Sequence, residues 1–173
     1  QRAEAVAALP EGQWLALGPT ANWDGKIWPP ERFVELAQAL KAENLRPVVF
    51  YGPGEGERAR AEQVLKTLPD ALDLGGDRSL GEVAALLQRC ALFVGNDSGL
   101  MHLAAAAGTP TLGLFGPSRA SEYAPAGRLA RFVESPGPEG HAPIEGLGVA
   151  AVLKAAKEIL REKDVCVSDG RLD

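Results

Sequence analysis

The stretch from Val94 to Pro117, VGNDSGLMHLAAAAGTPTLGLFGP, limits most strongly what this chain can fold into. An apolar run from Ala91 to Val94 has the pattern of a buried strand. Gly95 to Gly99 follows as a turn of small and polar residues, and Leu100 to Ala107 reads as an alanine-rich helix. Gly108-Thr109-Pro110 is a helix stop signal, after which Thr111 to Phe115 is again strand-like and ends at Gly116-Pro117. Strand, polar turn, helix and strand make a βαβ unit, which closes right-handed into a parallel sheet. The turn carries the chemistry. Asp97 or Ser98 can cap the helix, Gly99 leaves backbone amides open to a ligand, and the positive helix end suits a phosphate. His102 lies four residues after Ser98, on the same helical face, and reads either as a ligand contact or as a buried core histidine.

The rest of the chain extends the same alternation. Trp14 to Leu17, Arg46 to Tyr51, Ala71 to Leu74 and Leu129 to Val133 read as strands. A helix is predicted to open at Pro29-Pro30-Glu31, with Phe33, Leu36, Ala37 and Leu40 as its apolar positions, and further helices over Glu57 to Leu68, Ser79 to about Arg89 and Gly148 to Glu162. Ser79 with Glu82 three residues on is a capping-box pattern. The expected fold is α/β and doubly wound, with a mainly parallel, Rossmann-like sheet. Residues 1–12 read as a linker or tail, 13–163 as the folded domain and 164–173 as a frayed polar tail.

Ligands in open α/β sheets bind outside the carboxyl ends of the strands. The loops there hold Thr20, Lys26, Glu55, Asp97, Ser98, Gly99, His102 and Arg119. Lysine and hydroxyl groups beside a helix N-terminus suit a diphosphate, and a glutamate suits a ribose diol. The set therefore reads as a nucleotide-sugar site. Lys26, as a loop lysine, is expected to contribute little to stability, and Trp28 is expected to pack beneath its loop. Arg119 is a surface arginine by default, and His141 receives no role.

These residues also carry a resemblance. Asp97-Ser98-Gly99, His102-Leu103-Ala104-Ala105-Ala106, Gly108, Pro110 and Phe115-Gly116-Pro117-Ser118 are similar to the signature of the bacterial ADP-heptose:lipopolysaccharide heptosyltransferases, glycosyltransferase family 9. Lys26-Ile27-Trp28-Pro29 with Arg32-Phe33 resembles a second motif of that family. The resemblance matches only the C-terminal half of these two-domain GT-B enzymes. It implies a donor-binding domain over residues 13–163 that takes ADP-heptose or a related nucleotide-sugar, with Lys26 on phosphate. Transfer of heptose to the lipopolysaccharide inner core, with inversion and no required metal or other cofactor, is implied as well. So is a partner N-terminal domain that binds the acceptor and supplies the catalytic base; no catalytic residue is assigned here. An acidic ribose ligand is implied in the loop after the second strand, where Glu55 is nominated and Glu57 stays open. A nucleotide-binding module without transfer chemistry is the alternative function.

Composition excludes other classes. The net charge of −5 argues against a nucleic-acid surface. Two cysteines, Cys90 and Cys166, are too few for a disulfide framework and suggest a cytoplasmic protein, with peripheral association at the inner membrane left open. No apolar run approaches the ~18 residues of a transmembrane span. The sequence lacks G-x-x-x-x-G-K-[ST], Gly52-Pro53-Gly54-Glu55-Gly56 does not match a dinucleotide fingerprint, and no Cys/His cluster has metal-ligand spacing.

Overall fold

The computed structural model describes residues 8–10 and 12–170. Within them, six parallel strands form one sheet in the order β3-β2-β1-β4-β5-β6. The strands are β1 (Trp14–Gly18), β2 (Arg46–Val49), β3 (Leu72–Asp73), β4 (Leu92–Asn96), β5 (Thr111–Phe115) and β6 (Ala130–Glu134). The helices are α1 (Pro30–Leu40), α2 (Glu55–Leu65), α3 (Leu80–Leu87), α4 (Gly99–Ala106), α5 (Ala120–Tyr123) and α6 (Val149–Ser168).

Strand alternation divides the core in two. Leu15, Leu17, Val49, Leu92, Val94, Leu112 and Leu114 face α1, α2 and α6, where Phe33, Leu36, Val64, Val152 and Ile159 complete the packing. Trp14, Ala16, Val48, Phe93 and Phe115 face the other way, against Val83 and Leu86 of α3 and against Met101 and Ala104 of α4. With both faces covered, the central strands β1, β4 and β5 are buried at every residue, which is why they are mostly apolar, with Asn96 and Thr111 as buried polar exceptions.

Order reverses between β1 and β4, so their C-terminal ends flank the crevice at the switch point. Gly18 and Gly95 are register partners there. A Cβ on either would lie 2.6 Å from the Phe93 ring, so glycine at both positions lets the strand ends close over that side chain. At α3 the capping box forms as expected: Glu82 N donates to Ser79 Oγ at 3.3 Å and Ser79 N donates to Glu82 Oε2 at 2.9 Å. Hydrogen bonding to Ser79 holds the Glu82 carboxyl below its ordinary pKa. A lowered carboxyl stabilises the fold above the ordinary carboxylate range and loses that contribution as pH falls through its folded value.

Three expectations change. β4 runs on through Gly95 and Asn96, which the sequence reading gave to the turn. The second helix spans Glu55–Leu65, starting two residues and ending three residues earlier than its apolar pattern suggested. The first half of the supposed tail is helical: α6 continues to Ser168, and Gly170, at φ +65°, follows its end. The apolar stripe that marks a helix in sequence ends near Ile159, but the polar residues beyond it contain no helix breaker. Most of the linker assigned to 1–12 lies outside the described residues, as do residues 171–173. Leu9, however, is fully buried in the second core cluster, and Trp14 Nε1 donates to the Pro10 carbonyl at 2.8 Å.

The two thiols differ in exposure. Burial pushes the Cys90 pKa up to about 12, whereas Cys166 is partly exposed on α6. A disulfide-exchange reagent at pH 8 should therefore label one thiol in the folded protein, and Cys166→Ser should abolish that labelling. Cys90 should react only in denaturant. Rapid native labelling of the Cys166→Ser protein would contradict the packing around Cys90.

Candidate functional site

A cleft of about 460 Å³ opens over the β1 and β4 ends. One wall is the loop after β1, with Thr20, Ala21, Asn22 and Lys26. Gly52, Pro53 and Glu57 also line the cleft, as do Asp97 and Ser98 before α4 and Gly99, Leu100 and His102 in its first turn.

Ser98 is the N-cap of α4, its Oγ accepting from Met101 N at 3.5 Å. Capping leaves the Gly99 and Leu100 amides, which have no intrahelical acceptor, at the wall of the cleft. No atom lies within 4 Å of where a Gly99 Cβ would stand, so open space adjoins this position. The helix end contributes partial positive charge.

Lys26 ends a 3-10 turn, Asp24–Lys26, whose Asp24 carboxylate pairs with Arg60 of α2. The Lys26 Nζ lies 2.8 Å from Asp97 Oδ2 and 5.9 Å from the Tyr123 ring centroid. The contact with Asp97 is an ion pair in distance, but Oδ2 has no aligned hydrogen-bond donor and is shielded from solvent. Lys26 is thus the counterion of a buried carboxylate, a contact that the reading of a plain loop lysine did not foresee. It is also the one lysine or arginine among the described residues of the cleft wall.

Trp28, next but one, is fully buried, edge-on to Phe33 at 5.0 Å, with Nε1 donating to the Leu147 carbonyl at 2.8 Å. Arg32 Nη1 donates to the Glu145 and Leu147 carbonyls at 2.6 and 2.7 Å. The Lys-Ile-Trp-Pro segment is therefore anchored on its tryptophan while its lysine reaches the cleft.

Thr20, Lys26, Asp97, Ser98, Gly99 and His102 all converge on this cleft. His102 is exposed, so the core reading of the histidine does not hold. Glu55 is not brought in. It is the first residue of α2, exposed, and lines a separate depression with Gly54, Arg58 and Glu62. Glu57 takes the place at the cleft and accepts from Gly52 N at 3.0 Å. It is the third residue of the helix, the position from which a glutamate reaches back to preceding backbone. The Ser-x-x-Glu pattern that identified Glu82 does not find it, because the N-cap here is Gly54 and the backbone N–H that Glu57 accepts from lies five residues upstream. Arg119 stands outside the cleft, paired with Glu122 at 3.4 Å.

Sequence reasoning also passed over Asn96, which is completely buried at the end of β4. Its Oδ1 accepts from Trp28 N at 3.0 Å and its Nδ2 donates to the Thr20 carbonyl at 3.5 Å. Among the described residues, no group of three His, Cys, Asp or Glu side chains is placed to hold a metal, and no helix is long and apolar enough to cross a membrane.

Known proteins match this architecture. The family model for glycosyltransferase family 9 (heptosyltransferase) matches residues 1–143. Lipooligosaccharide heptosyltransferase 2 of Haemophilus influenzae is 34% identical over 126 residues, covering 69% of this chain and 36% of the relative. The structure of Escherichia coli ADP-heptose lps heptosyltransferase II superposes with a TM-score of 0.81 at 25% identity, over 94% of this chain and 52% of that one. An E. coli heptosyltransferase solved with ADP gives a TM-score of 0.76 at 26% identity, over 91% and 48%. The chain therefore spans about a third of the curated relative and about half of the solved structures. With the family model matching most of its length and solved heptosyltransferases superposing on nearly all of it, this chain belongs to glycosyltransferase family 9, the heptosyltransferases.

Proposed function

We propose that this domain binds the ADP-sugar donor in the transfer of heptose to a lipopolysaccharide-type acceptor, on the cytoplasmic side of the membrane. The observation that carries the reading is the meeting of one lysine, a capped helix N-terminus and an exposed histidine in one cleft at the sheet's switch point. Free amides and a single ammonium suit a diphosphate better than a carboxylate or a neutral ligand.

As the glycosidic bond breaks, negative charge grows on the departing ADP. Lys26 and the Gly99 and Leu100 amides stabilise that charge, and the fixed helix end does so without reorganising. Asp97 holds Lys26 over the cleft and can accept from a sugar hydroxyl, while His102 bonds sugar or phosphate oxygens. Glu57, on the cleft wall, replaces Glu55 as the carboxylate facing the ribose diol. The base that deprotonates the acceptor is assigned to the acceptor-binding half that two-domain relatives carry beyond the matched segment. No metal or other cofactor is assigned to the step.

Calorimetry of this chain with ADP, GDP and UDP tests the reading. ADP should bind most tightly, and preference for another base would sink the donor assignment. Sugar transfer by this chain alone would sink the placement of the base elsewhere. His102→Ala should weaken ADP-heptose binding by about tenfold, the loss of one hydrogen bond to a charged group, and leave the denaturation midpoint in place. A lowered midpoint with normal affinity would make the histidine structural.

A further inference from the structure

We propose that Asn96 is a positioning residue that sets the diphosphate-facing loop, acting through Lys26 without touching the ligand; this rests on the donor-site reading above. Asn96 ends β4 and is wholly buried, although asparagine is costly to bury unless its amide is satisfied. Both halves of that amide are spent on one loop, at its two ends. Oδ1 takes the Trp28 N–H at 3.0 Å, and Nδ2 reaches the Thr20 carbonyl at 3.5 Å.

The Trp28 end is the more constrained. Pro29 and Pro30 follow and carry no N–H, so Trp28 is the last main-chain donor before Glu31. Trp28 is itself fully buried, and without Asn96 its N–H would be left without that acceptor. Lys26 stands two residues earlier, in the 3-10 turn that leads into this anchor. The neighbouring residue on the other side, Asp97, is the one that meets the Lys26 ammonium. Asn96 and Asp97 thus hold one segment at two consecutive positions, the first by its backbone and the second by its charge. Their strand end lies in register with β1, from which the loop departs, so the amide ties the start and the finish of the loop to a rigid strand.

The test is a double-mutant cycle on ADP affinity with Asn96→Leu, Lys26→Ala and their combination, alongside hydrogen exchange of the 19–28 loop. Asn96→Leu should weaken ADP about tenfold, and Lys26→Ala should cost much less in that background than in the parent, because its ammonium is no longer held in place. Exchange at Trp28 N–H should accelerate while β1 and β4 stay protected. Additive effects on affinity, or an Asn96→Leu protein that is destabilised but binds ADP normally, would overturn the proposal. Should Asn96→Leu fail to fold, Asn96→Ser carries the same cycle. A parent chain that binds no ADP overturns the donor site itself; the exchange arm then still decides whether Asn96 holds the loop, and unchanged exchange refutes that.

Discussion

Gly99→Val should abolish measurable ADP binding and leave the fold intact. Gly99 is the first residue of α4, exposed, and on the cleft wall. Its backbone is not in the left-handed region, and no atom lies within 4 Å of the position a Cβ would take. An added Cβ there is free of close contacts with the rest of the protein, and valine is no worse than glycine in a helix. The space it fills is the space in which a phosphate would meet the helix amides. The expected loss is at least about 3 kcal/mol of binding, two orders of magnitude or more in affinity. Gly116 is the opposite case: a Cβ there would lie 2.7 Å from the Ile144 backbone, so that glycine is required by packing. Denaturation midpoints and ADP titrations on Gly99→Val separate the two kinds of glycine. Undiminished binding would place the phosphate elsewhere.

Lys26→Ala should reduce both affinity and stability, for different reasons. The ammonium offers a charge-assisted hydrogen bond to a phosphate, so ADP binding should weaken by about 1.5–3 kcal/mol. The second effect comes from Asp97, which is buried with its carboxyl group 2.8 Å from the Lys26 ammonium. Without that ammonium the carboxylate is uncompensated, and the expected cost to folding is about 1–3 kcal/mol, less than for a fully buried pair because Lys26 is 21% exposed. Adding Asp97→Asn should recover most of the stability and none of the affinity, since the buried charge is gone but the phosphate still lacks its cation. Urea midpoints and ADP titrations on the single and double variants check both halves. An unchanged midpoint in Lys26→Ala would show that Asp97 does not depend on the lysine, and full affinity would remove Lys26 from the site.

The chain by itself determined its βαβ alternation, the parallel sheet and the turn at 97–102. These follow from local rules that leave marks in sequence: strands covered on both faces are continuously apolar, and caps and stops have fixed residue types. The capping box at Ser79 was legible for the same reason. Tertiary structure decided what depends on residues far apart in sequence. Lys26 and Asp97 are an ion pair only because β1 and β4 are neighbours, and no local pattern joins a loop lysine to an aspartate in another loop. Asn96 looked like one more polar turn residue, and it became a buried strut only when the β1 loop folded over it. His102 could have faced the core or the cleft, since a helical period assigns a residue to a face but not the neighbour of that face. Glu55 and Glu57 are both acidic residues of one helix start, and where α2 begins put the second of them on the cleft.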